Sequence, residues 1–342
     1  MRRTSSLPVI ALLLFGVFIA AQAQTKSIDG TIVEDAPCAA SPKKTYEQFL
    51  KEQKASLEGE VQNAAAAAFR ANYLKNFDRF VLSREEFQRR EAFVDYECRK
   101  IKYLSDGLKI VGFIWKPKNI SGKKLPLVIV NRGGNPIQAL LTPQSFYYPF
   151  VSNGFVVIGS QYRGADGGEG KDEFGGADVN DVLNLIPLAR SLNYVDMNNV
   201  FMVGASRGGM QSFLAIKRGI PINAVAVSGS LNDLLAAEKE LPGLAARVFA
   251  LIPGYPEKRE ELLRERSAVY FADKINVPVL IFHGGADWRA NPGNQALGLA
   301  NKLQTLGKTY ELHVYAEDDH SLSIHHLDRD QKVVLWFKRY MK

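Results

Sequence analysis

From residue 126 onward the chain repeats one pattern: a short, almost unbroken apolar run, then a longer stretch of mixed polarity. The runs are PLVIVN at 126–131, FVVIGS at 155–160, VFMVGA at 200–205, AVAVSGS at 224–230 and PVLIFHG at 278–284. Runs of this kind suit strands buried on both faces, and the stretches between them suit covering helices. Together they predict an α/β fold, a mostly parallel sheet with helices on both faces. YELHVYAEDD at 310–319 predicts a last strand, and QKVVLWFKRYM at 331–341 a closing amphipathic helix. Upstream the pattern changes. FVDYECRKIKYLS at 93–105 alternates, and LKIVGFIWKP at 108–117 follows across a turn placed at Gly107–Leu108. Residues 43–75 carry Tyr46, Phe49, Leu50, Leu57, Val61 and Phe69 at helical spacing, and Ser83 with Glu86 forms a capping box for a second, short helix. Pro187 interrupts the apolar face of 178–192, which predicts a kink or a break.

The first 23 residues stand apart. Arg2 and Arg3 precede an uncharged apolar run from Leu7 to Ile19, and Ala21-Gln22-Ala23 follows. This reads as an export signal cut after Ala23, too short to span a bilayer comfortably. The expected division is a signal peptide at 1–23, a mostly helical N-terminal segment at 24–92 beginning with a loose tail to residue 42, and an α/β domain at 93–342. The expected location is periplasmic or extracellular, with no membrane attachment after cleavage. Composition is ordinary for a globular chain, 46% hydrophobic and 23% charged. The net charge of +7 is scattered in short pairs such as Lys43-Lys44 and Arg89-Arg90, with no basic stripe interleaved with aromatics. That argues against nucleic acid as a partner. Cys38 and Cys98 are the only cysteines. In an oxidising compartment they can pair, and two unrelated thiols is the other reading.

The candidate chemistry lies at the end of the 200–205 run. Gly204-Ala205-Ser206-Arg207-Gly208 is a G-x-S-x-G pattern set between a buried strand and a helix starting near Met210. Glycines at both ends let strand, turn and helix approach closely, which makes Ser206 a candidate nucleophile on a strained elbow of the α/β-hydrolase kind. That arrangement needs an acid and then a histidine, each after a later strand. His320 directly follows the last strand and Asp287 follows the strand before it. Asp318 and Asp319 rival Asp287, but as chain neighbours of His320 they are poorly placed to bond its imidazole, and they read as solvated or loop-ordering acids. His283 ends a buried strand, His313 lies within one, and His325 and His326 precede the last helix. In such a triad the serine attacks an acyl carbon, the histidine moves the proton and the acid orients the imidazole. The oxyanion would be held by the backbone N–H of Arg207 and by the loop after the first buried strand, at Arg132 and Gly133. Trp288 and Arg289 are candidate cleft residues, with packing under the loop as the alternative. Residues 230–270 are the expected lid and acyl pocket. No cofactor is expected and no metal: the glycine-rich 163–176 stretch is no Walker loop, and 317–326 lacks a ligand spacing.

With these residues placed, the chain resembles the catalytic domain of the prolyl oligopeptidase family of serine hydrolases. The matching blocks are VIVNRGG, SQYRGADGGEGKDEFGGADVNDV, VGASRGGM, IPGYP, PVLIFHGGADWR and DDH, spread in order over residues 125–342. The resemblance implies Ser206, Asp287 and His320 as the triad. Many members place Tyr or His before the Gly-Gly of the oxyanion loop, where this chain has Arg132. The second donor is then a backbone amide alone, or one helped by Arg132 or Asn131. Large members carry a β-propeller, for which residues 24–92 are too few. The expected function is hydrolysis of peptide bonds in short peptides. A carboxylesterase acting on small acyl esters is the alternative, and a non-catalytic binding protein on the same fold is the third reading.

Overall fold

The computed structural model describes residues 28–40, 42–57, 64–145 and 148–342. The expected signal peptide at 1–23 and the helical position Val61 lie outside them. The apolar runs form the centre of a nine-stranded sheet of order β1-β2-β3-β5-β4-β6-β7-β8-β9. These strands are β1 (Ile32–Pro37), β2 (Tyr96–Ser105), β3 (Leu108–Pro117), β4 (Leu125–Asn131), β5 (Val156–Ser160), β6 (Val195–Ala205), β7 (Ala224–Ser228), β8 (Val279–Gly284) and β9 (Tyr310–Tyr315). From β5 to β9 neighbours run parallel, and β1, β2, β3 and β5 pair antiparallel.

The helices are α1 (Tyr46–Ala55), α2 (Ala64–Lys75), α3 (Phe77–Phe80), α4 (Arg84–Ala92), α5 (Tyr148–Val151), α6 (Asp178–Leu183), α7 (Leu185–Ser191), α8 (Arg207–Lys217), α9 (Leu234–Glu240), α10 (Pro242–Phe249), α11 (Arg259–Glu265), α12 (Gly298–Thr305) and α13 (His326–Arg339). Successive strand residues serve opposite faces. Leu127 and Ile129 pack with α6 to α12 in one core cluster, while Val128 and Val130 pack with Phe150, Val151, Trp336 and Phe337 of α5 and α13 in the other. Both faces are therefore covered, as the unbroken apolar runs require.

Three local features depart from the sequence pattern or sharpen it. The expected loose tail is an edge strand: β1 pairs with β2, and Arg99–Asp35 and Lys102–Glu34 ion pairs cross between them. Most of β1 is exposed, so it carries no alternating signal and is held by its partner's backbone. The β2–β3 turn is Asp106–Gly107, with φ of 52° and 78°, and Leu108 already belongs to β3. Two left-handed residues make this the tight turn whose twist matches the strands it joins. Pro187 acts upstream of itself: the helix breaks at Asn184 into α6 and α7. Its ring clashes with the carbonyl four residues earlier and offers that carbonyl no N–H, which ends the first helix at Leu183.

Cys38 and Cys98 are joined as a disulfide with Cα atoms 5.3 Å apart, and the Cys38 N–H also donates to the Cys98 carbonyl at 2.9 Å. Ser83 caps α4 by accepting from the Glu86 N–H.

Candidate active site

Ser206 joins β6 to α8 with φ 56° and ψ −123°, a conformation that costs an L-residue about 1–3 kcal/mol. The two glycines of the motif have separate reasons. A Cβ on Gly204 would lie 2.3 Å from the Gly208 carbonyl oxygen, and a Cβ on Gly208 would lie 1.9 Å from the Asn131 carbonyl oxygen. The elbow therefore exists only because strand, helix and the end of β4 meet without side chains. The Ser206 N–H donates to the Ser228 carbonyl at 2.9 Å, which ties the elbow to the end of β7.

His320 reaches the same place from the other side. It follows β9 on a loop that packs over Gly284 and Gly285, where a Cβ would stand 2.2 Å from the Asp319 oxygen and 2.6 Å from the Ala316 oxygen respectively. Gly229, just after β7, leaves room for the ring: a Cβ there would be 3.1 Å from His320 Nδ1. Ser206 and His320 thus flank one strand terminus, Ser228–Gly229.

His320 Nδ1 lies 2.7 Å from Asp287 Oδ2. Because a carboxylate only accepts, Nδ1 carries the proton and Nε2 is free to act as base. The Asp287 side chain is buried and its Oδ1 accepts the N–H groups of Arg289 at 2.8 Å and Ala290 at 3.0 Å. Burial pushes this carboxyl up, but hydrogen bonds from His283 and His320 outweigh it and hold the group well below the usual carboxylate range. Asp318 and Asp319 turn away. Asp318 accepts from the N–H groups of Asp319, Ile324 and His325 and from the His325 ring, and Asp319 accepts from Ser321 and Ser323. They order the histidine loop, and they are buried rather than solvated.

At the oxyanion position, Arg207 is the first residue of α8, so its N–H is one of the amides a helix leaves unpaired. The opposing loop comes close: a Cβ on Gly133 would stand 3.2 Å from Ser206 Cβ. The two side-chain alternatives are engaged elsewhere. The fully buried Arg132 guanidinium donates to the Gln161 carbonyl at 3.0 and 2.6 Å and to the Gly133 and Asn135 carbonyls at 2.9 Å each. Asn131 Nδ2 donates to Ser212 Oγ at 2.8 Å. Arg132 therefore braces the loop through its carbonyls.

The model of the prolyl oligopeptidase family matches residues 144–342. The chain belongs to the prolyl oligopeptidase family. It is 31% identical over 221 residues to an uncharacterized peptidase, YtmA, of Bacillus subtilis, across 64% of this chain and 84% of that one. It is 28% identical over 236 residues to dipeptidyl peptidase 8 of Mus musculus, of which it matches 25%. The Pyrococcus horikoshii acylaminoacyl peptidase superposes with a TM-score of 0.64 at 22% identity, covering 73% of this chain and 42% of that one, a likeness of α/β-hydrolase fold. The chain thus spans well under half the length of the last two. A serine peptidase or hydrolase follows from family membership.

Around these residues the structure supplies partners for several neighbouring side chains. The Arg207 side chain points inward, paired bidentately with Asp172 at 2.7 Å and with Asp178 at 2.7 Å, and its guanidinium lies over the Tyr162 and Phe174 rings. Burial alone would lower its pKa, yet the two carboxylates raise it, so the buried charge is held. Arg163 pairs Asp181 and Asp106, which fixes the glycine-rich stretch as an ordered loop. Trp288 and Arg289 are not packed away: the guanidinium sits over the indole, 5.2 Å from its centre, with Arg289 exposed and Trp288 half-buried. Residues 230–270 do not line the cavity described below. Leu234, Phe249 and Leu263 join the core on the α8 face. A cavity of about 880 Å³ lies on the other face, under the N-terminal segment, lined by Phe87, Phe93, Tyr148, Val203, Ala205 and Ser228 and bounded by the disulfide. Short α5 covers little of that face, so Val203 and Ala205 remain partly accessible in mid-sheet.

Proposed function

We propose that Ser206, His320 and Asp287 act as a catalytic triad that cleaves amide bonds of short peptides through an acyl-enzyme. The observation that carries this is the 2.7 Å bond from His320 Nδ1 to Asp287 Oδ2 beside the strained Ser206 elbow. Ser206 Oγ attacks the acyl carbon while His320 Nε2 takes the hydroxyl proton. The carbonyl oxygen becomes an oxyanion facing the N–H of Arg207 and the amides of the Gly133 loop. Collapse breaks the C–N bond, and His320 gives its proton to the leaving amine. Water then attacks the ester, loses a proton to His320, and Ser206 recovers its own as the acid departs. Asp287 stays ionised throughout and stabilises the imidazolium.

The names of the relatives, a dipeptidyl peptidase and an acylaminoacyl peptidase, support a preference for peptides carrying a free or blocked N-terminus. The Cys38–Cys98 bridge supports an oxidising location and so export. A second reading, a carboxylesterase, uses the same serine and acyl-enzyme, since an ester leaving group needs less accurate protonation by His320 than an amine does. A fluorophosphonate label that modifies the protein but not Ser206→Ala tests the nucleophile. A panel of aminoacyl amides and acyl esters then separates the readings: brisk ester turnover with no amide cleavage would move the assignment to carboxylesterase.

A further inference from the structure

His283 is the last-but-one residue of β8, fully buried, and no step of the proposed reaction uses it. Its Nε2 lies 2.7 Å from the Ala290 carbonyl oxygen and 3.0 Å from Asp287 Oδ2. Both neighbours only accept, so Nε2 carries the proton. Its Nδ1 is buried and has no hydrogen-bond partner among the described residues. A proton there would be a stranded donor, so the ring proton sits on Nε2. A buried ring with one nitrogen unpartnered is costly, and the compensation lies on the other nitrogen. That N–H is aimed at the Ala290 carbonyl and has the Asp287 carboxylate 3.0 Å away, so it lies against both ends of the turn that presents the acid.

We propose that His283 is a positioning residue for Asp287. Its N–H is held by the Ala290 carbonyl with its positive end 3.0 Å from Oδ2, the same oxygen that accepts from His320. The other oxygen is already fixed by the Arg289 and Ala290 amides. With both oxygens held, the carboxylate cannot rotate away from His320 and stays ionised. The inference rests on the triad reading above. It concerns how the acid is aimed, and the sequence alone showed His283 only as a histidine ending a buried strand.

The consequence is a pH signature. The titratable and charged groups around His320 are Asp287 and His283 from β8 and its loop, Arg289 on the same turn, and Asp318 and Asp319 on its own loop. Beyond these, α2 contributes Tyr73, whose pKa burial raises and the nearby Asp319 charge raises further, and α13 contributes Arg329, whose Nη1 holds the Ser321 carbonyl. Removing the His283 donor leaves the Asp287 charge less satisfied. That carboxylate then binds the His320 proton more tightly, so the base is lost at a higher pH.

The test uses His283→Phe, His283→Asn and His283→Gln in the full chain. Gln can place an amide nitrogen near the Nε2 position, with two N–H groups for two acceptors, whereas Asn is too short. Expected results are a fall in kcat of about tenfold for Phe and Asn, the scale of one lost charge-assisted hydrogen bond. KM should be little changed, the acid limb of the kcat/KM profile should move to higher pH, and Gln should restore both. Should the Phe variant not fold, the Asn and Gln pair decides alone. Lost activity with an unmoved acid limb would overturn the inference, as would a Gln variant as slow as Asn. Failure of the triad itself would show instead as turnover or labelling surviving in Ser206→Ala.

Discussion

Ser206 sits in a conformation that glycine adopts freely and other residues do not, so the proposed nucleophile carries a local cost. Ser206→Gly should therefore abolish turnover yet raise stability by up to about 1 kcal/mol, read as a higher midpoint in chemical denaturation. Ser206→Ala should lower kcat by several orders of magnitude and leave the fold unchanged. Asp287→Asn should be nearly as severe, about 10⁴-fold, because an amide donor facing Nδ1 favours the wrong imidazole tautomer. Asp318→Asn should lower the thermal midpoint and cost less in kcat, since Asp318 holds the loop rather than the ring. Steady-state kinetics on one substrate ranks the two, and a worse Asp318 variant would mean the wrong acid.

At the scale of elements, the elbow depends on three backbones meeting. Gly208→Ala would drive a methyl into the Asn131 carbonyl, so β4 and α8 must separate. The expected outcome is a protein that no longer reacts with a fluorophosphonate, with its circular dichroism largely retained. The N-terminal edge of the sheet is a different case. β1 buries little, and its attachment rests on the ladder to β2, two exposed ion pairs and the disulfide. Exposed ion pairs contribute little, whereas a bridge spanning 60 residues contributes roughly 4 kcal/mol in the chain-entropy view. Cys98→Ser should lower the melting temperature, and reductant should do the same to the wild type but not to the variant.

For the whole molecule, the N-terminal helices do more than cover a face. Tyr73, Phe77, Phe80 and Val81 form a small cluster that includes Ile324, four residues past His320. Arg79 pairs with Glu317 at 2.6 Å, three residues before it. The segment 64–82 therefore clamps the histidine loop from both ends. Phe80→Ala should cost about 3 kcal/mol through the lost packing, the low end for such a truncation because the cluster is small. It should slow ester and amide substrates by the same factor, because what loosens is the loop of His320, the proposed base for both. A loss confined to amides would show instead that these helices bind the peptide.

The parts of this protein that its sequence determined are those carried by local pattern. Unbroken apolar runs can only be strands covered on both faces, and a glycine on each side of Ser206 is needed wherever a strand turns so tightly into a helix. The chain order of Ser206, Asp287 and His320, the triad proposed above, is readable because each follows such a run. Tertiary structure alone decided the rest, for one physical reason: a buried polar group is defined by its partner, and partners come from far along the chain. The Arg132 guanidinium, one of the side chains left open for the oxyanion loop, holds the Gln161, Gly133 and Asn135 carbonyls. Arg207 has its side chain committed to Asp172 and Asp178, about thirty residues upstream. His283 has one proton and two acceptors that only the β8 turn brings to it. The exposed strand β1 has no alternating pattern to read, because an edge strand facing water is specified by the backbone of β2 and not by its own side chains.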